Sequence, residues 1–543
     1  MVPAAELSPA RPALPPRGRV PHRVRAFCHR HRVPLTAVLA ALPAYAVWWV
    51  FLATGGGDLA AQEAWADFAA RHGGSAYGLF WYGGTHTADQ GLVSPYVTAV
   101  LGVRTVTVAA GLAASWPAAV LLARAVPRRP LGPALLASLG LWCNAASGRT
   151  AFALGAALGL ASCVLLARRR RLPPAALCAV LATAASPVAG LFLAVAGAGY
   201  GLARDRRRAA ALLVPPAAVL AFTAVLFPSR GGQVVPAAAL WGPVLCCAAV
   251  VVLAPREWRV PRWGAAVYAA CAALTYLVPS PVGTDVGRLA ELFAPAVLLA
   301  ALVAAPGGRH RRVALVTALV CSVAWVGRET ADGLAVSVPV PAWARDTRGV
   351  VRALERLGAD RTRVEVVPGR DHREAAALAP YVNLARGWDR RLDVERGRLF
   401  YDGTFSAATY RAWLDRWAVG LVVLPSGRPD ASARAEARLV RGGPDWLEPV
   451  WRDAHWRVYR VRGAEPLASS PAAVVRATAA GLVVRMDRPG SVTVRIAYSP
   501  WLRAGGGGCL GRSGEFTRLT VPGPGEYRIS SEYGPSRTRV CPC

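Results

Sequence analysis

The stretch "LTAVLAALPAYAVWWVFLATGGGDLAAQEAWADF", residues 35–68, decides how the chain is read. From Leu35 to Ala53 it is apolar and long enough to cross a bilayer. Three glycines then release the chain, and Asp58 opens an alanine-rich, helix-forming segment carrying Glu63, Asp67, Leu59, Trp65 and Phe68. A carboxylate therefore stands where a membrane helix ends. A cleaved leader does not fit. The Pro- and Arg-rich residues 1–33 are long for the charged region of a signal peptide. Trp48, Trp49 and Phe51 occupy the place of a small-residue cleavage site. The reading is an uncleaved anchor behind a disordered, basic cytoplasmic lead-in.

The rest of the chain repeats the pattern. Of its 543 residues 54% are hydrophobic, and the mean hydropathy is +0.33, too apolar for an ordinary soluble protein. Apolar runs at 104–124, 131–147, 149–167, 174–186, 188–203, 209–227, 236–254, 263–279, 291–305 and 312–327 bring the count to about eleven spans. The net charge is +31, and every one of the 63 basic residues is arginine. These arginines cluster in alternate connections, at 124–129, 168–171, 204–208, 256–262 and 309–312, as cytoplasmic loops do. The alternation holds only if 174–203 is a hairpin of two short helices turning at Ser186-Pro187. It places the N-terminus inside and residues 328–543 outside, and it accounts for the basicity without nucleic acid.

Other chemistries drop out. Without lysine there is no Walker loop, Schiff base or Ser-Lys pair. The string 506–511 matches G-x-G-x-x-G, but it lies in a strand-rich tail with no helix to receive a phosphate. Eight cysteines in or before the apolar region lack metal-site spacing, whereas Cys509 is free to pair with Cys541 or Cys543 if the tail is outside.

Beyond the spans, 328–463 alternates helix and strand signals. Helices are expected at 349–357 and 407–417, and strands at 363–367, 419–425 and 455–461. That is a small α/β domain. Residues 464–543 turn to period-two runs broken by Gly and Pro, the pattern of an antiparallel β-sandwich. The fold class is thus mainly α, a polytopic helical bundle over 34–327, followed by these two extracytoplasmic domains.

The outer loop 54–93 gathers the candidate chemistry. Asp58 has the position of a helix N-cap, and the helix it begins suits the lipid surface. Glu63 and Asp67 read as solvated charges on that helix. Phe80, Trp81 and Tyr82 suit an aromatic belt at the membrane interface, with sugar stacking as the functional alternative. His86 is an acid, base or hydrogen-bond donor, or simply structural. The segment 93–102 is too short to span. Arg149 and the group Asp285, Arg288 and Glu291 sit in outward turns, where charge is costly unless paired or facing water. Asp285 and Arg288 are spaced to pair with each other. A guanidinium also grips phosphate in bidentate fashion, so Arg149 and Arg288 are candidate phosphate contacts.

The stretches "GGGDLAAQEAWADF", "YGGTHTADQGLVSPYVTAVLG", "SGRTAFALGAALG" and "ASPVAGLFLAVAG", with the tail "YSPWLRAGG…FTRLTVPGPGEYRISSEY" and "YRAWLDRWAVGLVVLP" before it, resemble the GT-C superfamily of membrane glycosyltransferases. The likeness is to an uncharacterised subgroup from high-GC bacteria, sometimes labelled transporters. What this resemblance implies is sugar transfer on the outer face of the plasma membrane. The donor would be a polyprenyl-phosphate sugar, the acceptor a cell-envelope glycan or lipid, and Asp58 the carboxylate acting as base. Asp58 is followed by Leu59, so the adjacent acidic pair of many members is missing; Glu63 or Asp285 has to substitute. No cofactor is required by the residues, and a divalent cation is left open. Two alternatives remain: a transporter or flippase, and a catalytically silent scaffold binding envelope glycan. An enzyme requires Asp58, Arg288 and the Ser186-Pro187 turn around one outward cavity.

Overall fold

A computed structural model of the chain describes residues 27–533, except 168–170, 229–230, 234 and 305–307. Most of the expected disordered lead-in, 1–26, lies outside the described residues, as do Arg168, Arg169 and Arg170 of one basic connection. Residues 27–30 are helical and Arg32 already begins the first long helix, so the described end of the lead-in is ordered.

Each expected apolar run is a helix. Arg32–Val47 continues through a π-helical turn at Trp48–Leu52. Then follow Val103–Ala125, Leu131–Ala146, Thr150–Leu165, Leu172–Ala185, Pro187–Leu202, Arg206–Leu226, Ala237–Leu253, Arg259–Leu277, Arg288–Ala304 and Arg309–Ser337. Among the described residues five segments are long and apolar enough to cross a membrane: Arg32–Leu52, Val103–Ala125, Arg206–Leu226, Gly283–Ala304 and Arg309–Ser337. Their outer faces carry large apolar side chains, with Val225 77% and Phe51 66% exposed, which suits a hydrocarbon surround rather than water. The hairpin of short helices forms where charge alternation demands it. Ser186 is extended, and Pro187, whose missing N–H costs nothing at a first helical position, starts the return helix.

Past the last long helix, a four-stranded sheet runs in the order Arg363–Val366, Val419–Pro425, Trp456–Val461, Leu447–Arg452. The first pair is parallel and the others antiparallel. Helices Arg348–Arg356 and Ala407–Arg416 stand where the sequence puts them. The edge strand Leu447–Arg452 was not foreseen. Its Pro449 lies at a register shift, a tolerance confined to edges and bulges. A four-stranded and a three-stranded antiparallel sheet then make the expected sandwich between Ala472 and Ser531. Its Cys509 is disulfide-bonded; Cys541 and Cys543 lie outside the described residues.

The outer loop departs from expectation. Helix Asp58–Arg71 does not lie on lipid, because Ala61, Ala64, Trp65 and Phe68 are buried in one core with Val350, Leu354, Val364 and Val423 of the α/β domain. Phe80, Trp81 and Tyr82, expected as a membrane belt or sugar platform, are each at most 1% exposed within this core. The loop then threads between the α/β domain and the sandwich. Leu384 donates its N–H to Phe80 O at 2.8 Å, and Leu79 donates its N–H to Ala479 O at 2.6 Å. Tyr77 donates its N–H to Ser531 Oγ at 2.9 Å.

Candidate functional site

The site is built from the glycine linker upward. Gly57, at φ +65°, is the N-cap of the helix, and its N–H donates to Asp371 O at 2.7 Å. Asp58 is therefore the first helical residue, not the expected cap, and no side-chain capping bond forms. Its carboxylate is free to face elsewhere. Oδ2 lies 3.6 Å from Arg149 Nε and 3.8 Å from Arg288 Nη2.

Each arginine has a tighter partner of its own. Arg149 Nη1 donates to Glu291 Oε2 at 2.5 Å. Arg288 Nη2 lies 2.6 Å from Asp285 Oδ1 in the preceding short turn Gly283–Gly287, and its guanidinium stands 5.5 Å from the centre of the Phe152 ring. The Nε–H groups of both arginines are buried without a hydrogen-bond partner.

Close backbone approach permits this convergence. Gly148, at φ +75°, brings the turn before Arg149 so near the Asp58 helix that an added Cβ would lie 2.7 Å from Leu59 N. From the same helix, Gln62 Oε1 accepts the N–H of Ala151 at 3.2 Å, binding the start of Thr150–Leu165 to it.

These groups line a cavity of about 1120 Å³. Its walls include Ser186-Pro187, Leu220, Thr223 and Ala224 of one long helix with Phe227 at its end, and Trp325 and Glu329 on the last. Trp388, Asp389, Arg390 and Arg391 of the α/β domain cover it from above. His372 stacks on Trp388 at 3.5 Å, and Asp389 Oδ1 accepts the N–H groups of Arg391 and Leu392. Burial pushes the Asp389 carboxyl above its ordinary range. Although the chain carries +31, the cavity is lined by six carboxylates (Asp58, Asp89, Asp285, Glu291, Glu329, Asp389) against four arginines (Arg149, Arg288, Arg390, Arg391).

Of the residues singled out from the sequence, Asp58, Asp285, Glu291, Arg149 and Arg288 meet at this cavity, together with the Ser186-Pro187 turn. Glu63, His86, Trp81 and Tyr82 do not line it. Glu63 faces Arg104 and Arg373, where burial raises its carboxyl, so it does not stand as a second acid beside Asp58. His86 is 5% exposed, and its Nε2 lies 2.9 Å from Ser499 Oγ in the sandwich. Trp81 donates its indole N–H to Ala375 O at 3.1 Å, inside the core. Tyr82 donates to Asp389 O and accepts from Asp389 N, both at 3.1 Å; it fixes the cover rather than touching a ligand. Sequence reasoning missed Gln62, the part played by Glu291, and Trp388 to Arg391. Asp389 ahead of a helical run is a legible capping signal, but nothing local says that the cap faces a cavity.

The exit from the first long helix is clamped from outside. Arg373, 6% exposed, donates from Nη2 to Thr54 Oγ1 at 2.8 Å and to Ser337 O at 2.6 Å. Its Nε donates to Asp371 Oδ2 at 2.6 Å. An added Cβ at Gly56 would lie 2.6 Å from Ser337 O, so the linker must be glycine there.

Residues 469–543 match a family model described as a domain of unknown function, DUF8823. No curated protein matches the chain. Among solved structures, the chain is similar to the single-particle cryo-EM structure of arabinofuranosyltransferase AftD from Mycobacteria. The identity is 16% and the TM-score 0.44, covering 85% of this chain and 41% of that one. A mutant form of the same protein gives 16% and 0.43, with 85% and 43% covered. The chain thus spans about two fifths of the length of the structures it resembles. Overlap at that level leaves the site to be argued from its own geometry.

Proposed function

We propose that the protein is a multi-pass membrane glycosyltransferase of GT-C type. It would move a sugar from a polyprenyl-phosphate donor to a hydroxyl of a cell-envelope glycan or lipid. The observation that carries this reading is the meeting of Asp58, Arg149 and Arg288 in one cavity at the junction of apolar helices and outer domains. The arginine-rich connections favour an N-terminus inside and the cavity outside.

In the step, the acceptor oxygen bonds to the anomeric carbon as the bond from that carbon to the phosphate oxygen breaks. The electron pair leaves on the phosphate, where Arg149 and Arg288 hold the developing charge. The hydroxyl proton passes to Asp58. Asp285 and Glu291 orient the two guanidiniums. Among the described residues no group of three or more His, Cys, Asp or Glu is disposed to hold a metal ion. The step is written with this chain's own groups.

The test is native mass spectrometry of the purified protein against a panel of polyprenyl-phosphate sugars, paired with a transfer assay. Asp58→Asn is expected to bind donor without transferring it, and Arg288→Ala to lose donor binding. Failure of the wild type to bind any donor would sink the assignment and promote the scaffold and transporter readings.

A further inference from the structure

The two arginines grip their carboxylates unequally. Arg149 holds Glu291 at 2.5 Å and Arg288 holds Asp285 at 2.6 Å, both as close charge-assisted contacts. Asp58 sits between the same guanidiniums at 3.6 and 3.8 Å, beyond hydrogen-bond length. It is the loosely held member of a five-charge group with net charge −1, from three carboxylates and two arginines. The side chain of Asp58 is 37% exposed; Asp285 is as open at 36%, so the length of the contact and not exposure sets Asp58 apart. The buried Nε–H groups of Arg149 and Arg288 have no hydrogen-bonded acceptor, Asp58 standing too far from the first of them to serve.

We propose that Asp58 occupies the place of a phosphodiester anion, and that arrival of this anion on Arg149 and Arg288 displaces Asp58 and thereby makes it a base. The inference rests on the reading of the site as phosphate-binding and adds an order of events. While the site is empty, two guanidiniums flank the Asp58 carboxylate and hold it between them. A phosphodiester offers the arginines a competing anion with bidentate geometry. Glu291 and Asp285 stay in place because their contacts are short, and Asp58 turns away. A carboxylate stripped of its cationic partners and facing a new negative charge holds a proton more tightly. Donor must therefore bind before the acceptor hydroxyl can be deprotonated, and an empty site does not activate water or a stray hydroxyl.

The test is calorimetry on the full chain in lipid nanodiscs at about pH 5.5, in two buffers of different ionisation enthalpy. The probes are dodecyl methyl phosphate and dimethyl phosphate. Both are diesters with no second ionisation of their own, so any proton taken up belongs to the protein. Wild type is expected to take up a fraction of a proton on binding. Asp58→Asn should take up none and bind about tenfold more tightly, because the competing carboxylate is gone. Asp285→Asn and Glu291→Gln should keep the uptake. Binding of the dodecyl ester alone assigns a lipid-anchored phosphate as the ligand, whereas equal binding of both assigns the bare headgroup. Either pattern supports displacement if the uptake vanishes with Asp58→Asn. Proton uptake that persists in Asp58→Asn, or unchanged or weaker affinity in that variant, overturns the displacement while leaving phosphate binding intact. No binding by wild type or any variant overturns both.

Discussion

At residue scale, the site depends on one missing side chain. Gly148 combines a left-handed backbone with contact against Leu59 N, so Gly148→Ala introduces both a strained φ and a backbone clash. The expected cost is about 2 kcal/mol, with donor binding lost alongside, because Arg149 moves with the turn. Thermal unfolding followed by intrinsic fluorescence, together with the donor-binding assay, checks both. Arg373→Ala should cost about 3 kcal/mol or more, since it strands buried Asp371 and removes a donor from the carbonyls of Thr54, Ser337 and Pro339. Arg373→Lys should recover only part of this, because an ammonium lacks the planar fork. Half of the site was legible in the sequence at this scale. Arg149, Asp285 and Arg288 stood out because charge beside a bilayer is costly without a purpose. Tyr82 and Trp81 misled because an aromatic with a polar tip suits a membrane interface and a hydrogen-bonded core equally well.

At the scale of elements, the positions of the helices were legible, since an apolar run of bilayer length has few other uses, but the last, expected over 312–327, extends from Arg309 to Ser337. What the sequence concealed is packing between elements. The Asp58 helix has its apolar side where a lipid-lying helix would, and only the α/β domain decides what covers it. The outer loop's attachment to the sandwich gives a pH prediction. Burial lowers the His86 imidazole below its ordinary 6.5, opposed by Asp89 and reinforced by Arg396 and Arg391. A neutral, buried His86 therefore contributes stability that is present above that value and fades as pH falls through it. The melting temperature should drop between about pH 7.5 and 5.5, and His86→Gln should flatten that dependence. The sandwich also docks through Trp501, which donates its indole N–H to Leu226 O at 2.6 Å and stacks on Phe227 at 5.1 Å. Trp501→Ala should loosen this junction by about 2 kcal/mol, read as faster hydrogen exchange around 222–228.

At the scale of the whole molecule, orientation is the open quantity that charge alternation addresses. Protease added to intact spheroplasts should degrade the chain beyond about residue 345 and spare the helical part. Survival of the outer domains would reverse the topology and remove the cavity from the outer face.

The Arg373 clamp carries a consequence in time. Thr54 and the arginine that fixes it are 319 positions apart. At a ribosomal pace of about 5–20 residues per second, roughly 15–65 s pass before the second reaches the first. The apolar helices after the first are all synthesised within that interval, while the glycine linker beneath Asp58 still lacks its Arg373 contacts. The linker beneath Asp58 is thus fixed only when a domain made after the helical part has folded. Chains halted before residue 373 should exchange the amide hydrogens of 54–60 freely, and chains extended past the α/β domain should protect them.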